Sequence, residues 1–132
     1  MKRLLDTNAY SEWKRGDRAV DRVIRRAERL YFSTVVAGEL LYGFRHGLRY
    51  EANRRELEEF LRSPFVEVVD VSLSTADRYG RVAQRLRSGG TPIPVNDIWI
   101  AAQAMETGAE LVTFDEHFDR VDGLAWVDPR RE

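Results

Sequence analysis

The stretch Leu4-Leu5-Asp6-Thr7-Asn8, with Lys2 and Arg3 before it, decides how the chain is to be folded. Lys2 to Leu5 has the short apolar run of a buried strand, and the run ends on a carboxylate. An aspartate at a strand end is ordinary by itself, because Asp also serves in turns and as a helix cap. It acquires meaning only where other acids reach the same edge.

Outward from that stretch, strand and helix patterns alternate. Asp17 can cap a helix running to about Arg29, with Val20, Val23, Ile24 and Ala27 at helical spacing on one face. Leu30-Tyr31-Phe32 is strand-like. Ser33 or Thr34 then caps a helix reaching about His46, with Gly47 as its terminator. A further helix is expected from Glu51 to Leu61, stopped by Pro64, and a strand from Phe65 to Val71. Ser74 caps a helix bearing Tyr79, Val82, Ala83 and Leu86, and Ser88 to Pro94 is a loop. A last helix spans about Asn96 to Thr107, closed by Gly108. Strands follow at Leu111-Val112-Thr113 and Ala125-Trp126-Val127.

Such alternation predicts an α/β fold with a central, mostly parallel sheet of four to five strands and helices on both faces. A single domain is expected over residues 1–132. In a sheet of this kind the functional crevice lies at the carboxyl ends of the strands. Asp6 and Asp115 both fall at that edge.

Two further acids interrupt apolar segments. Glu39, within STVVAGELLYGF, has Val35, Val36, Leu40 and Gly43 as helical neighbours, so it borders a buried face. Asp97, within PVNDIWIAAQAM, lies beside the inward stripe of Ile98, Ala101, Ala102 and Met105. Singly, Glu39 reads as a half-exposed helix residue and Asp97 as a first-turn acid favoured by the helix dipole. Jointly, clustered carboxylates repel one another and resist burial, and a hard divalent cation removes the conflict. The chain has no cysteine and only two histidines, His46 and His117, so the metal chemistry expected is oxygen ligation by Mg²⁺ or Mn²⁺. Acid-lined sites of this kind serve phosphate chemistry.

Composition sets the remaining bounds. The net charge of −1 does not announce a nucleic-acid partner. All but Lys2 and Lys14 of the 21 basic residues are arginine, whose planar fork suits bidentate phosphate contacts, although a GC-rich genome would produce the same bias. No apolar stretch approaches a membrane span and the start breaks too soon for a signal peptide, so a cytoplasmic location is expected.

Four motifs in this order, LLDTN, VVAGELLYG, VNDIWIAAQA and LVTFDEHF, resemble the PIN-domain family, and more narrowly its VapC-type toxin ribonucleases. The resemblance runs from Lys2 to about Val127. It implies that Asp6, Glu39, Asp97 and Asp115 are the catalytic acids, with Asp6, Asp97 and Asp115 as metal ligands. It implies that Asn8 orients Asp6 by hydrogen bonding and that Thr113 does the same or contacts the metal shell. Asp119 is assigned to the surface.

The function implied is that of the toxin of a type II (VapBC) toxin–antitoxin module: a metal-dependent endoribonuclease in which metal-activated water hydrolyses RNA phosphodiesters. The products would be a 5′-phosphate and a 3′-hydroxyl. Arg15, Arg45, Arg49 and residues of the Ser88–Pro94 loop are the candidates for substrate binding. The partners implied are RNA, a VapB-type antitoxin and a second copy of the chain. Tyr10, Trp13, Tyr42, Phe44 and Trp99 are candidates for the groove taking the antitoxin tail, with Trp99 the one best explained by the core. The alternative is a PIN-like module that is non-catalytic or directed at DNA. Phosphatases with a strand-end aspartate need a second Asp where Asn8 stands and a later lysine, and none follows Lys14.

Overall fold

The computed structural model describes residues 1–131. Strands β1 (Lys2–Leu5), β2 (Arg29–Ser33), β3 (Val66–Val69), β4 (Glu110–Val112) and β5 (Trp126–Val127) form one sheet in the order β3-β2-β1-β4-β5. All four neighbouring pairs are parallel. Around the sheet lie helices α1 (Thr7–Lys14), α2 (Arg18–Arg25), α3 (Thr34–Phe44), α4 (Tyr50–Leu61), α5 (Leu73–Ser88) and α6 (Val95–Thr107). Right-handed crossovers put α1 to α4 on one face and α5 and α6 on the other. Within each face α1 packs on α2 and α3, α3 on α4, and α5 along α6, while α3 also meets α6 where Asn96 reaches Glu39.

This strand order has a consequence for function. The chain leaving β1 crosses to β2, whereas the chain leaving β4 crosses to β5 on the opposite side. The two connections diverge and open a crevice at the carboxyl ends of β1 and β4. Beneath it Leu4, Leu5, Leu111 and Val112 are fully buried, so the crevice floor is rigid core.

Local chemistry fixes the helix limits, with some departures from the sequence expectations. Asp17 caps α2 through Val20 N, but the helix stops at Arg25 because Arg29 already pairs with Lys2 in the sheet. Ser33, not Thr34, caps α3, accepting from Val35 N. That helix ends before Arg45 rather than at Gly47. Helix α5 starts two residues earlier than Ser74 implies, because Ser72 and Thr75 form a reciprocal capping box. Gly108 closes α6 at φ 71°, a left-handed conformation that favours glycine. Helix α1 has no counterpart in the sequence reading. Its cap is Asp6, whose side chain accepts from Thr7 N. Only Ala9 and Tyr10 are buried along it, so its apolar period is too thin to stand out.

One polar pair ties the layers together. Ser33 Oγ donates to Gln103 Oε1 at 2.5 Å and both residues are fully buried. Gln103 Nε2 donates onward to Val69 O at 3.4 Å. These bonds join α6 to the carboxyl ends of β2 and β3 and so fix the depth at which the start of α6 meets the sheet edge.

Candidate metal and nucleic-acid site

Asp6 leaves β1 straight into the crevice, 4% exposed. Its backbone N–H donates to Val112 O, which continues the β1–β4 ladder to the last residue before the site. Its carboxylate accepts from Thr7 N at 2.8 Å and from Thr113 Oγ1 at 2.8 Å. Thr113, fully buried just past β4, also accepts from Asp115 N at 3.0 Å. A single hydroxyl therefore sets the position of two of the four acids.

Glu39 projects from α3, where Thr7 Oγ1 donates to its Oε1 at 2.5 Å and Asn96 Nδ2 to its Oε2 at 3.4 Å. Asp97 sits in the first turn of α6, half-buried. His117 Nε2 lies 2.7 Å from Asp97 Oδ2, and its Nδ1 lies 3.7 Å from Asp115 Oδ1. Toward an ionised Asp97 the ring donates from Nε2. Ligand atoms of Asp97, Asp115 and His117 all lie within 4.8 Å of one another, so these three side chains could hold one metal ion.

The acids feel one another. Burial pushes the Asp6 carboxyl up to about 6, opposed by the hydrogen bonds from Thr113 and Thr7 and reinforced by the charges of Asp97 and Glu39. Burial also raises Asp97, with Glu39 and Asp115 adding to the effect and His117 opposing it. Asp6 couples to Asp97 and Glu39, and Asp97 to Glu39 and Asp115, so all four belong to one electrostatic unit. An acid set that resists ionising together suits a hard divalent cation, and oxygen is its preferred donor.

The structure departs from the sequence reading at several residues. Asn8 is exposed and donates nothing to Asp6, because helix α1 turns it away; Thr113 and the Thr7 backbone take that place. His117, set aside on composition, stands between two of the acids. Its position two residues after Asp115, before the buried Phe118, was the available signal. Asp119 is exposed.

A groove of about 490 Å³ leads away from Thr7 and Glu39 between α1, α3 and α4, and Arg15, Arg49, Tyr10 and Phe44 help to line it. Arg15 is paired there with Glu12 at 2.6 Å. Arg45 does not line the groove; its guanidinium lies over Tyr50 at 4.3 Å. Tyr10 and Trp13 pack into an aromatic cluster with Phe32 and Phe60. Trp99 stacks on Tyr79 with ring centroids 4.0 Å apart, and Tyr42 is 70% exposed.

The PIN domain family model matches residues 3–124. The chain belongs to the PIN-domain family, in its VapC-type branch. Ribonuclease VapC1 of Haemophilus influenzae is 33% identical over 102 residues, covering 76% of this chain and 75% of that protein. The tRNA(fMet)-specific endonuclease VapC of Salmonella typhimurium is 28% identical, covering 94% and 95%. Among solved structures, VapBC-1 from nontypeable Haemophilus influenzae superposes with a TM-score of 0.87 at 28% identity, covering 98% of this chain and 99% of that one. The PIN match spans the elements carrying Asp6, Glu39, Asp97, Asp115 and His117. No helix among the described residues is long and apolar enough to cross a membrane.

Proposed function

We propose that this PIN-domain chain is the toxin of a type II toxin–antitoxin module, a metal-dependent endoribonuclease that hydrolyses RNA phosphodiesters at Asp6, Glu39, Asp97 and Asp115. The observation that carries the reading is the convergence of these four acids, from separate elements, at the crevice between β1 and β4, with Asp6 buried there.

Mg²⁺, or Mn²⁺, would be held by Asp6, Asp97 and Asp115, and when bound it supplies positive charge to a phosphoryl oxygen and acidifies water. The protein's part is orientation. Thr113 aims Asp6, Thr7 and Asn96 hold Glu39, and His117 spans Asp97 and Asp115. Glu39, held by those two donors, would offer its carboxylate to water at the mouth of the crevice. The groove bordered by Arg15 and Arg49, with Glu56 also in its lining, would offer an RNA strand guanidinium contacts as it leaves the acids.

Several solved relatives are VapBC complexes, which supports a VapB-type antitoxin as the partner of this chain. A second copy of the chain completes the proposed assembly, and the oligomeric state of the purified protein tests it.

The deciding experiment incubates purified, antitoxin-free protein with total RNA in Mg²⁺, in Mn²⁺ and in EDTA, beside Asp6→Asn. Cuts with 5′-phosphate and 3′-hydroxyl ends, dependent on metal and lost in the variant, are expected. Absence of cutting, with no metal binding by calorimetry, would overturn the reading in favour of a non-catalytic module.

A further inference from the structure

Away from the acids, Arg78, Arg81 and Arg85 lie three and four residues apart along one side of α5. They face Met105 and Asp122 across a groove of about 690 Å³. Helix α5 carries four arginines and a single acid, Asp77, in a chain whose net charge is −1. Arg81 pairs with Asp77 at 3.2 Å. Arg78 and Arg85 pair with no acid among the described residues.

The stripe does not stand alone. Arg85 also borders a smaller hollow of about 200 Å³ shared with Arg120. Arg120 ends the 3₁₀ turn Glu116–Arg120 that carries His117, and its Nη1 donates to Pro92 O at 3.0 Å. The arginines thus begin one turn from the acid cluster and continue along α5.

Geometry favours a polyanion with regularly spaced charges. At about 1.5 Å of rise per residue, Arg78 and Arg85 are roughly 10 Å apart along the helix. One strand of a nucleic-acid duplex advances on the order of 3 Å per phosphate, so the stripe spans roughly three to four nucleotides. Arginine's planar fork engages phosphate oxygens two at a time, and the two unpaired guanidiniums lose no ion pair on doing so.

We propose that this stripe is a second RNA-backbone contact, outside the cutting site, that holds a duplex arm of a folded RNA substrate; it rests on the ribonuclease reading. A folded RNA would then engage two surfaces, and a short single strand only the crevice and its groove.

The test measures binding in the Asp6→Asn background, so that the probe survives. The probes are a labelled RNA hairpin of about one duplex turn with a single-stranded tail, and a labelled short single strand. Arg78→Ala with Arg85→Ala is compared with the parent, and Arg81→Glu with Arg85→Glu serves as a second pair on exposed positions. Hairpin affinity is expected to fall about tenfold or more, with the salt slope reduced by about two contacts' worth, while the single strand binds as before. Equal losses for both probes, or no loss for either, would overturn the inference, as would a face that binds polyglutamate in preference to the hairpin. If the protein with Asp6 intact cuts RNA and the arginine pairs change nothing, this inference alone falls. If it neither binds nor cuts RNA, the ribonuclease reading falls with it.

Discussion

Thr113 Oγ1 and Asp6 Oδ2 meet at 2.8 Å, joining the carboxyl ends of two adjacent strands in the middle of the sheet. The bond is fully inside the protein and opposes the upward push of burial on Asp6. Thr113→Val keeps the shape and removes the donor. It is expected to cost about 1–3 kcal/mol, since an acceptor is left short of a partner in the core. Urea unfolding with EDTA present measures the cost, and metal titration is expected to show weaker binding through the loosened carboxylate.

The raised carboxyl of Asp6 gives the metal-free protein a definite pH dependence. A folded-state pKa of about 6 against an ordinary 3.8 means that the folded form holds this proton more tightly. Stability from this group is therefore highest below about pH 4 and declines as pH rises toward 6, by about 3 kcal/mol in all. Asp97 is shifted in the same direction, whereas Asp128, lowered chiefly by Arg130, loses its contribution only at more acid pH. The comparison that isolates the effect is thermal unfolding of EDTA-treated wild type and Asp6→Asn from pH 4 to 8. The wild type should lose stability relative to the variant across the window, and parallel curves would contradict the assignment.

His117 spans Asp97 and Asp115, so its removal should act on the metal rather than on the fold. His117→Ala is expected to weaken Mg²⁺ binding about tenfold, the scale usual for a group that orients ligands. If the imidazole is itself a ligand, Mn²⁺ should suffer more than Mg²⁺, because nitrogen donors favour the former. Calorimetry with both metals separates the two cases, and unchanged affinity for both would remove His117 from the site.

Trp13 and Tyr42 should behave differently from one another. Trp13 packs against Tyr10 and Phe60 and donates from Nε1 to Asp21 at 3.1 Å. Its replacement by alanine is expected to cost about 3 kcal/mol through lost packing. Tyr42 is exposed, so Tyr42→Ala should leave unfolding nearly unchanged. Any effect of Tyr42→Ala on the proposed antitoxin affinity would then report on contact, whereas an effect of Trp13→Ala must first be corrected for stability.

Much of the architecture was legible because its signals are local. The run ending at Asp6, the Gly108 stop and the apolar stripe of α6 each announce themselves within a few residues. Helix α1 was not, because its cap is Asp6 itself and so little of it is buried. The gathering of the acids followed from the strand-end rule for Asp6 and Asp115, while Glu39 and Asp97 stood out as charges beside apolar faces. The supporting cast was harder to read. That Thr113 and not Asn8 reaches Asp6 depends on the direction α1 takes on leaving β1. His117 was discounted on composition because scarcity says nothing of placement.

The site's components are spread along the chain. Asp6 lies near the start, and Thr113, Asp115 and His117 lie on the far side of all six α-helices. Strand β1 gains its β4 neighbour only after nearly everything between has been made. At about 5–20 residues per second, the roughly 110 residues from Asp6 to His117 take on the order of 5–20 s to synthesise. Until then a growing chain on the ribosome lacks half of its acids' supports. The enzyme proposed here would thus be harmless to the RNA around it while it is being translated, and its activity would switch on late, with the pairing of one short strand.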